Sequence, residues 1–125
     1  MVHTDVPQLS KECNEWREQL HSFRDEFNAL NKNLQLAAPK ALSKDQQAAL
    51  EHFQNQLHIQ LINIHDLKQA VKSHDKKIQY EVSAPGGQIS DDTYSDHERL
   101  YEEYQLLQHS LSEFRSDFET YVSGL

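Results

Sequence analysis

Apolar residues recur at alternating spacings of four and three residues through the first third of the sequence. A period of 3.5 residues is typical of an α-helix that packs against other helices as in a coiled coil. The residues with this spacing are Leu9, Cys13, Trp16, Leu20, Phe23, Phe27, Leu30 and Leu34. The pattern predicts a first helix over about 6–37, which ends there because Pro39 disfavours helical geometry in the residue before it.

Two later segments repeat this spacing, and each predicts a further long helix. The second helix is predicted over about 43–81, with Ser43 and Gln46 forming a capping box at its start. The third is predicted over about 92–122; Ser95 and Glu98 are candidates for its capping box, and a start at Ser90 or Asp91 is the alternative. The core positions of the second are Leu50, Phe53, Leu57, Gln60, Ile64, Leu67, Val71, His74 and Ile78. Those of the third are His97, Leu100, Tyr104, Leu107, Leu111, Phe114, Phe118 and Tyr121.

The short connections between these long helices predict antiparallel neighbours. The expected fold is therefore an all-α, antiparallel up-down-up three-helix bundle with heptad packing, in one domain spanning 1–125. A first turn centred near residue 40 and a second near residue 86 would place Cys13 level with Leu67 and Tyr104. In helix number, helix length and a Trp within the first helix, the arrangement resembles spectrin-type bundles, and that resemblance implies topology alone.

The charge of the chain restricts the partners it can bind. The net charge is −8, whereas nucleic acids and anionic membranes require a cationic surface. No run of eighteen apolar residues is present, and the N-terminal sequence has no apolar stretch typical of a signal peptide. The one cysteine, Cys13, suits a reducing compartment. We expect a cytoplasmic protein that binds neither nucleic acid nor membrane.

Motifs for catalysis, for cofactor binding and for a small-molecule substrate are not recognisable, so we expect a protein that is not an enzyme. Two histidines nevertheless occupy core positions at one level of the bundle, His74 and His97, and His3 lies just beyond that level. Neutral imidazole is a common ligand of transition metals, so a His3, His74 and His97 cluster is a candidate metal site. The alternative is a partly hydrated polar layer. Cys13 reads as a small buried hydrophobic residue rather than a nucleophile.

The stretch LHIQLINIHDL (57–67) contains more apolar residues than one helix face needs. Leu57, Ile64 and Leu67 belong to the predicted core, whereas Ile59 and Ile62 lie away from it. Two apolar residues three positions apart form a small ridge that suits a partner surface, although isolated surface hydrophobic residues are also common. We therefore expect a non-enzymatic protein–protein interaction or structural module, with self-association through the outer face of the second helix as one form. A small metal-binding bundle that uses the histidine cluster is the alternative.

Overall fold

A computed structural model describes residues 6–41 and 43–125 of this chain. Helix α1 spans Val6–Ala37 and is followed by a 3-10 turn at Ala38–Lys40. Helices α2 and α3 span Lys44–Ser83 and Asp91–Ser123. The predicted all-α three-helix arrangement is confirmed, and each helix is within a few residues of its predicted length.

Helix α2 begins with the predicted capping box. The Gln46 backbone N–H donates to Ser43 Oγ at 3.0 Å, and the Ser43 backbone N–H donates to Gln46 Oε1 at 3.1 Å. These two bonds satisfy backbone donors that have no partner within the helix. The predicted boundary is therefore correct here because the local sequence alone supplies both partners.

Helix α3 begins at the earlier of its two candidate starts. Ser90 is the N-cap, and its Oγ accepts from the Thr93 backbone N–H at 3.2 Å. The Ser90 backbone N–H donates to Glu81 Oε1 at 2.8 Å, which ties the start of α3 to the end of α2. The capping box proposed at Ser95–Glu98 is wrong, since both residues lie inside the helix.

Most heptad core positions are buried along all three helices, and Phe23, Leu30, Leu50, Phe53 and Tyr121 are partly buried. The core side chains are aliphatic over much of the bundle and aromatic toward the end where α1 ends and α2 begins. There the ring of Phe114 lies 5.4 Å from Phe27 and 5.9 Å from Phe53, centroid to centroid. The largest fully buried side chains are Leu9, Leu20, Phe27, Leu34, Leu57, Ile64, Ile78 and Leu111.

The predicted register between α2 and α3 agrees with the observed contacts. Gln60 Nε2 donates to Ser110 Oγ at 2.8 Å, and Lys77 Nζ lies 3.3 Å from Asp96 Oδ2. Both pairs fall where a turn centred near residue 86 places them. Gln60 is buried, as its core position requires, and Ser110 satisfies its amide nitrogen.

The predicted register of α1 is wrong by about one heptad. Gln79 Nε2 donates to Ser10 Oγ at 2.7 Å, whereas a turn centred near residue 40 would place Ser10 opposite Ala70. Lys68 Nζ lies 3.3 Å from His21 Nδ1, which confirms the same displacement farther along the helix.

The displacement does not follow from the length of the connection between α1 and α2. Helix α1 ends at Ala37 and α2 begins at Lys44, with the 3-10 turn Ala38–Lys40 between them, so the midpoint of the connection lies near residue 40 as predicted. Each α1 residue nevertheless faces a residue of α2 about one heptad later than predicted. As a result Cys13 lies beside His74 rather than Leu67.

Two isoleucines of α2 provide a direct test of this fold. Ile64 is fully buried, so Ile64→Ala is expected to reduce the free energy of unfolding by roughly 2–5 kcal/mol through lost apolar burial and a residual cavity. Ile62→Ala, two residues away on the exposed side, is expected to change it by less than about 1 kcal/mol. Urea denaturation followed by circular dichroism measures both. Equal losses in the two variants would contradict the assignment of core and surface.

Candidate functional site

Three ligand-type side chains meet in the core, one from each helix. Cys13 comes from α1, His74 from α2 and His97 from α3, and their exposed fractions are 0%, 5% and 7%. One ligand atom from each lies within 4.8 Å of the other two. We call these three residues the Cys-His-His cluster. All three occupy heptad core positions, so the helical packing itself holds them together.

A chain of hydrogen bonds orients the two imidazoles. His97 Nε2 lies 3.2 Å from Glu12 Oε2, and His97 Nδ1 lies 2.9 Å from His74 Nε2. Because an ionised carboxylate only accepts hydrogen bonds, His97 Nε2 carries the proton and His97 Nδ1 holds a lone pair. His74 Nδ1 is buried and has no hydrogen-bond partner among the residues that the structure describes. The cluster is therefore an incompletely satisfied polar layer.

Aromatic rings cover the cluster on the α1–α3 side. The Trp16 ring lies 4.7 Å from the His97 ring, centroid to centroid, and stacks on Tyr101 at 5.9 Å. The Tyr104 ring lies 6.0 Å from the Trp16 ring. These rings shield His97 from solvent and restrict the orientations that its imidazole can adopt.

Burial keeps His74 and Cys13 uncharged at neutral pH. It lowers the pKa of His74 to about 4, with a smaller contribution from neighbouring His97. Burial also raises the pKa of the Cys13 thiol to about 12, and the carboxylates of Asp75 and Glu12 add to this shift. His74 is therefore a neutral imidazole and Cys13 a protonated thiol. Such a thiol, closed to solvent, is a poor nucleophile.

The structure brings two of the three predicted metal ligands together. His74 and His97 are in direct contact, as their shared level predicted, whereas His3 lies outside the described residues. Cys13 was predicted to lie beside Leu67, and its place in the cluster was missed. The available signal was its heptad core position, but the displaced register of α1 concealed its level.

The outer face of α2 is the second candidate site. Ile59 and Ile62 have exposed fractions of 45% and 44%, so the structure places both away from the core, as predicted. Residues four apart on a helix are neighbours on its surface. Ile59 therefore adjoins Asn63, and Ile62 adjoins Asp66.

Asn63 and Asp66 line an open groove of about 550 Å³ between α2 and α3. Its α3 side carries Leu106, whose exposed fraction is 71%. Each isoleucine thus lies one helical turn from a residue that lines the groove, and the α3 wall of the groove holds the exposed Leu106 beside polar residues. We call Ile59, Ile62 and Leu106 the outer apolar surface. Sequence reasoning missed Leu106, because a single apolar residue outside the core positions carries no signal of its own.

Comparison with known proteins finds no family model, curated protein or solved structure that matches this chain significantly. None of the helices in the described ranges combines the length and apolar content needed to cross a lipid bilayer. The geometry of the Cys-His-His cluster and of the outer apolar surface is therefore what bears on function.

The lowered pKa of His74 predicts a loss of stability in mild acid. Between pH 6.5 and pH 4 the unfolded chain binds a proton at this histidine that the folded chain excludes, so stability falls as the pH is lowered through this window. The loss approaches roughly 3 kcal/mol at pH 4. His74→Gln, which keeps a donor toward His97, is expected to remove most of this loss. Urea denaturation across this pH range, with a chelator present, measures it.

The exposed His58 provides the matched control, and His58→Gln is expected to retain the loss of stability in mild acid. Identical pH profiles for the wild type and His74→Gln would contradict the assignment. The other charged or titratable groups around His74 are common to both proteins, so a difference between the two pH profiles reports on His74 together with its interactions with these groups. They are Glu12, Cys13, Asp75, Lys77, Asp96 and His97.

Proposed function

We propose that this protein is a non-enzymatic helical-bundle module that binds protein partners, including a second copy of itself, through the outer apolar surface. The observation that carries the proposal is the half-exposure of Ile59 and Ile62 beside a groove whose far wall holds the exposed Leu106. Three apolar side chains from two helices form a larger contact surface than one isolated residue.

The shape of the groove supports a helical partner. An amphipathic helix places its apolar side chains at spacings of three and four residues, which suits a groove between two parallel or antiparallel helices. Asp66 and Glu103 lie among the groove-lining residues and provide acidic groups at its rim. Such a rim favours a partner helix that carries basic residues beside its apolar stripe.

The remaining features support a protein partner over other ligands. A net charge of −8 disfavours nucleic acid and anionic membrane. In the buried Cys-His-His cluster the Cys13 thiol is closed to solvent and protonated, which does not favour nucleophilic catalysis. A single cysteine also suits a reducing compartment, and we propose a cytoplasmic location.

Self-association is tested by the oligomeric state. Light scattering coupled to size-exclusion chromatography is expected to show a dimer for the wild type. The double variant Ile59→Glu, Ile62→Glu is expected to be a monomer, because burying two carboxylates in an apolar interface is strongly unfavourable. Both substitutions are at exposed sites, so the helical content and melting temperature should remain close to those of the wild type.

The control places the same two charges elsewhere on α2. Ala48 and Tyr80 are exposed on α2 and lie more than ten residues from either isoleucine, so Ala48→Glu, Tyr80→Glu is expected to leave the dimer intact. A monomeric wild type would refute self-association. A dimer that persists in the isoleucine variant, or that both variants disrupt equally, would refute the role of the outer apolar surface.

A further inference from the structure

The Cys-His-His cluster has the donor set of a transition-metal site. A thiolate and two neutral imidazoles are ligands that Zn²⁺ and related ions bind readily, and tetrahedral zinc sites combine them. Three core positions at one level, one on each helix, hold these three residue types, and the neighbouring core positions on α2 are the aliphatic Val71 and Ile78. We propose that Cys13, His74 and His97 together bind one Zn²⁺-class metal ion within the core.

The distances between the ligand atoms fit such an ion. With zinc–nitrogen bonds of about 2.0 Å and zinc–sulfur bonds of about 2.3 Å, tetrahedral ligand atoms lie roughly 3.3–3.6 Å apart. His74 Nε2 and His97 Nδ1 are 2.9 Å apart, and all three ligand atoms lie within 4.8 Å of one another. Movements on the order of 1 Å bring the three ligand atoms to these separations. Small rotations of the Cys and His side chains are enough to produce such movements.

Glu12 prepares His97 for this role. It accepts a hydrogen bond from His97 Nε2 at 3.2 Å, which leaves the lone pair of His97 Nδ1 directed toward His74 and the centre of the cluster. A carboxylate that holds the outer nitrogen of a metal-bound histidine is a recurrent feature of zinc sites, where it fixes the tautomer and raises ligand basicity. Glu12 is thus a positioning residue.

The charges around Cys13 favour a bound cation. Asp75 and Glu12 lie close enough to oppose ionisation of Cys13 electrostatically. A divalent ion reverses this effect, because the same carboxylates then balance its charge and the thiolate is stabilised by direct coordination.

Binding must release a proton and needs a route into the core. The Cys13 thiol loses its proton to solvent as the sulfur–metal bond forms, so at least one proton is released for each ion bound. A groove of about 220 Å³ between α2 and α3 is lined by His74 and by Lys77 and Asp96 at its edge. This groove gives the ion, and a water molecule as fourth ligand, access to the cluster.

Titration with Co²⁺ tests the proposal. The protein of residues 1–125 is purified without a tag, reduced, and stripped of bound metal with a chelator. One Co²⁺ per chain is expected, with the visible absorption of a tetrahedral site and a sulfur-to-cobalt charge-transfer band that Zn²⁺ abolishes by displacement. Zn²⁺ in hundredfold excess over its Kd is expected to raise the melting temperature by roughly 5–10 °C. Calorimetry in buffers of different ionisation enthalpy is expected to show the released proton.

Variants assign the ligands. Cys13→Ala is expected to lose the charge-transfer band, and Glu12→Gln to weaken the affinity by roughly 10–100-fold. The double variant His58→Ala, His65→Ala removes two surface imidazoles and is expected to bind as the wild type does. Cys13→Ser carries the same test if the alanine variant does not fold, since it preserves the size of the side chain.

Several outcomes would overturn the proposal. These are the absence of stoichiometric Co²⁺ binding, bound Co²⁺ without the charge-transfer band, and an unchanged affinity in Cys13→Ala. Loss of binding in His3→Ala with retention in Cys13→Ala would assign the site to a histidine-only cluster and refute the role of Cys13. None of these results depends on the oligomeric state, so the metal site and the outer apolar surface stand or fall separately.

Discussion

The position of α1 along the α2–α3 pair is the constraint on which the other features of this structure depend. It places Cys13 at the level of the two histidines and Trp16 against His97. Farther along the bundle it brings Glu26 opposite Arg115, whose Nη2 donates to Glu26 Oε1 at 2.7 Å with a second bond from Nε. A displacement of α1 by one heptad would preserve an apolar core and remove all of these contacts.

Polar groups in the core are what distinguish one register from another. Gln60 is bonded to Ser110, and His97 links His74 on one side to Glu12 on the other. Each contact exists at one relative position of the helices, and buried polar side chains left without such partners cost free energy. Buried polar residues specify register in the same way in coiled coils, at some cost in stability. The histidine layer therefore has a structural consequence whether or not it also holds an ion.

The two candidate sites use opposite sides of the same helix. The core side of α2 contributes His74 to the Cys-His-His cluster, and its outer side contributes Ile59 and Ile62 to the outer apolar surface. The two sites are more than ten residues apart along α2, and each involves its own residues of α3, His97 and Leu106. A single long helix thus supports an exposed protein-binding surface and a buried polar centre with little direct interference between them.

The amino-acid sequence by itself determined the three helices, their antiparallel order, the capping box at Ser43 and the exposure of Ile59 and Ile62. These follow from period, short connections and local capping chemistry, which act over a few residues. Only the tertiary structure decided the level of α1, and with it the meeting of Cys13 with His74 and His97. The physical reason is that a shift of seven residues returns every heptad position to the core, so the apolar pattern is equally satisfied in either register. The register that forms is the one in which polar contacts join α1 to both other helices, and these contacts exist only when all three helices are packed together.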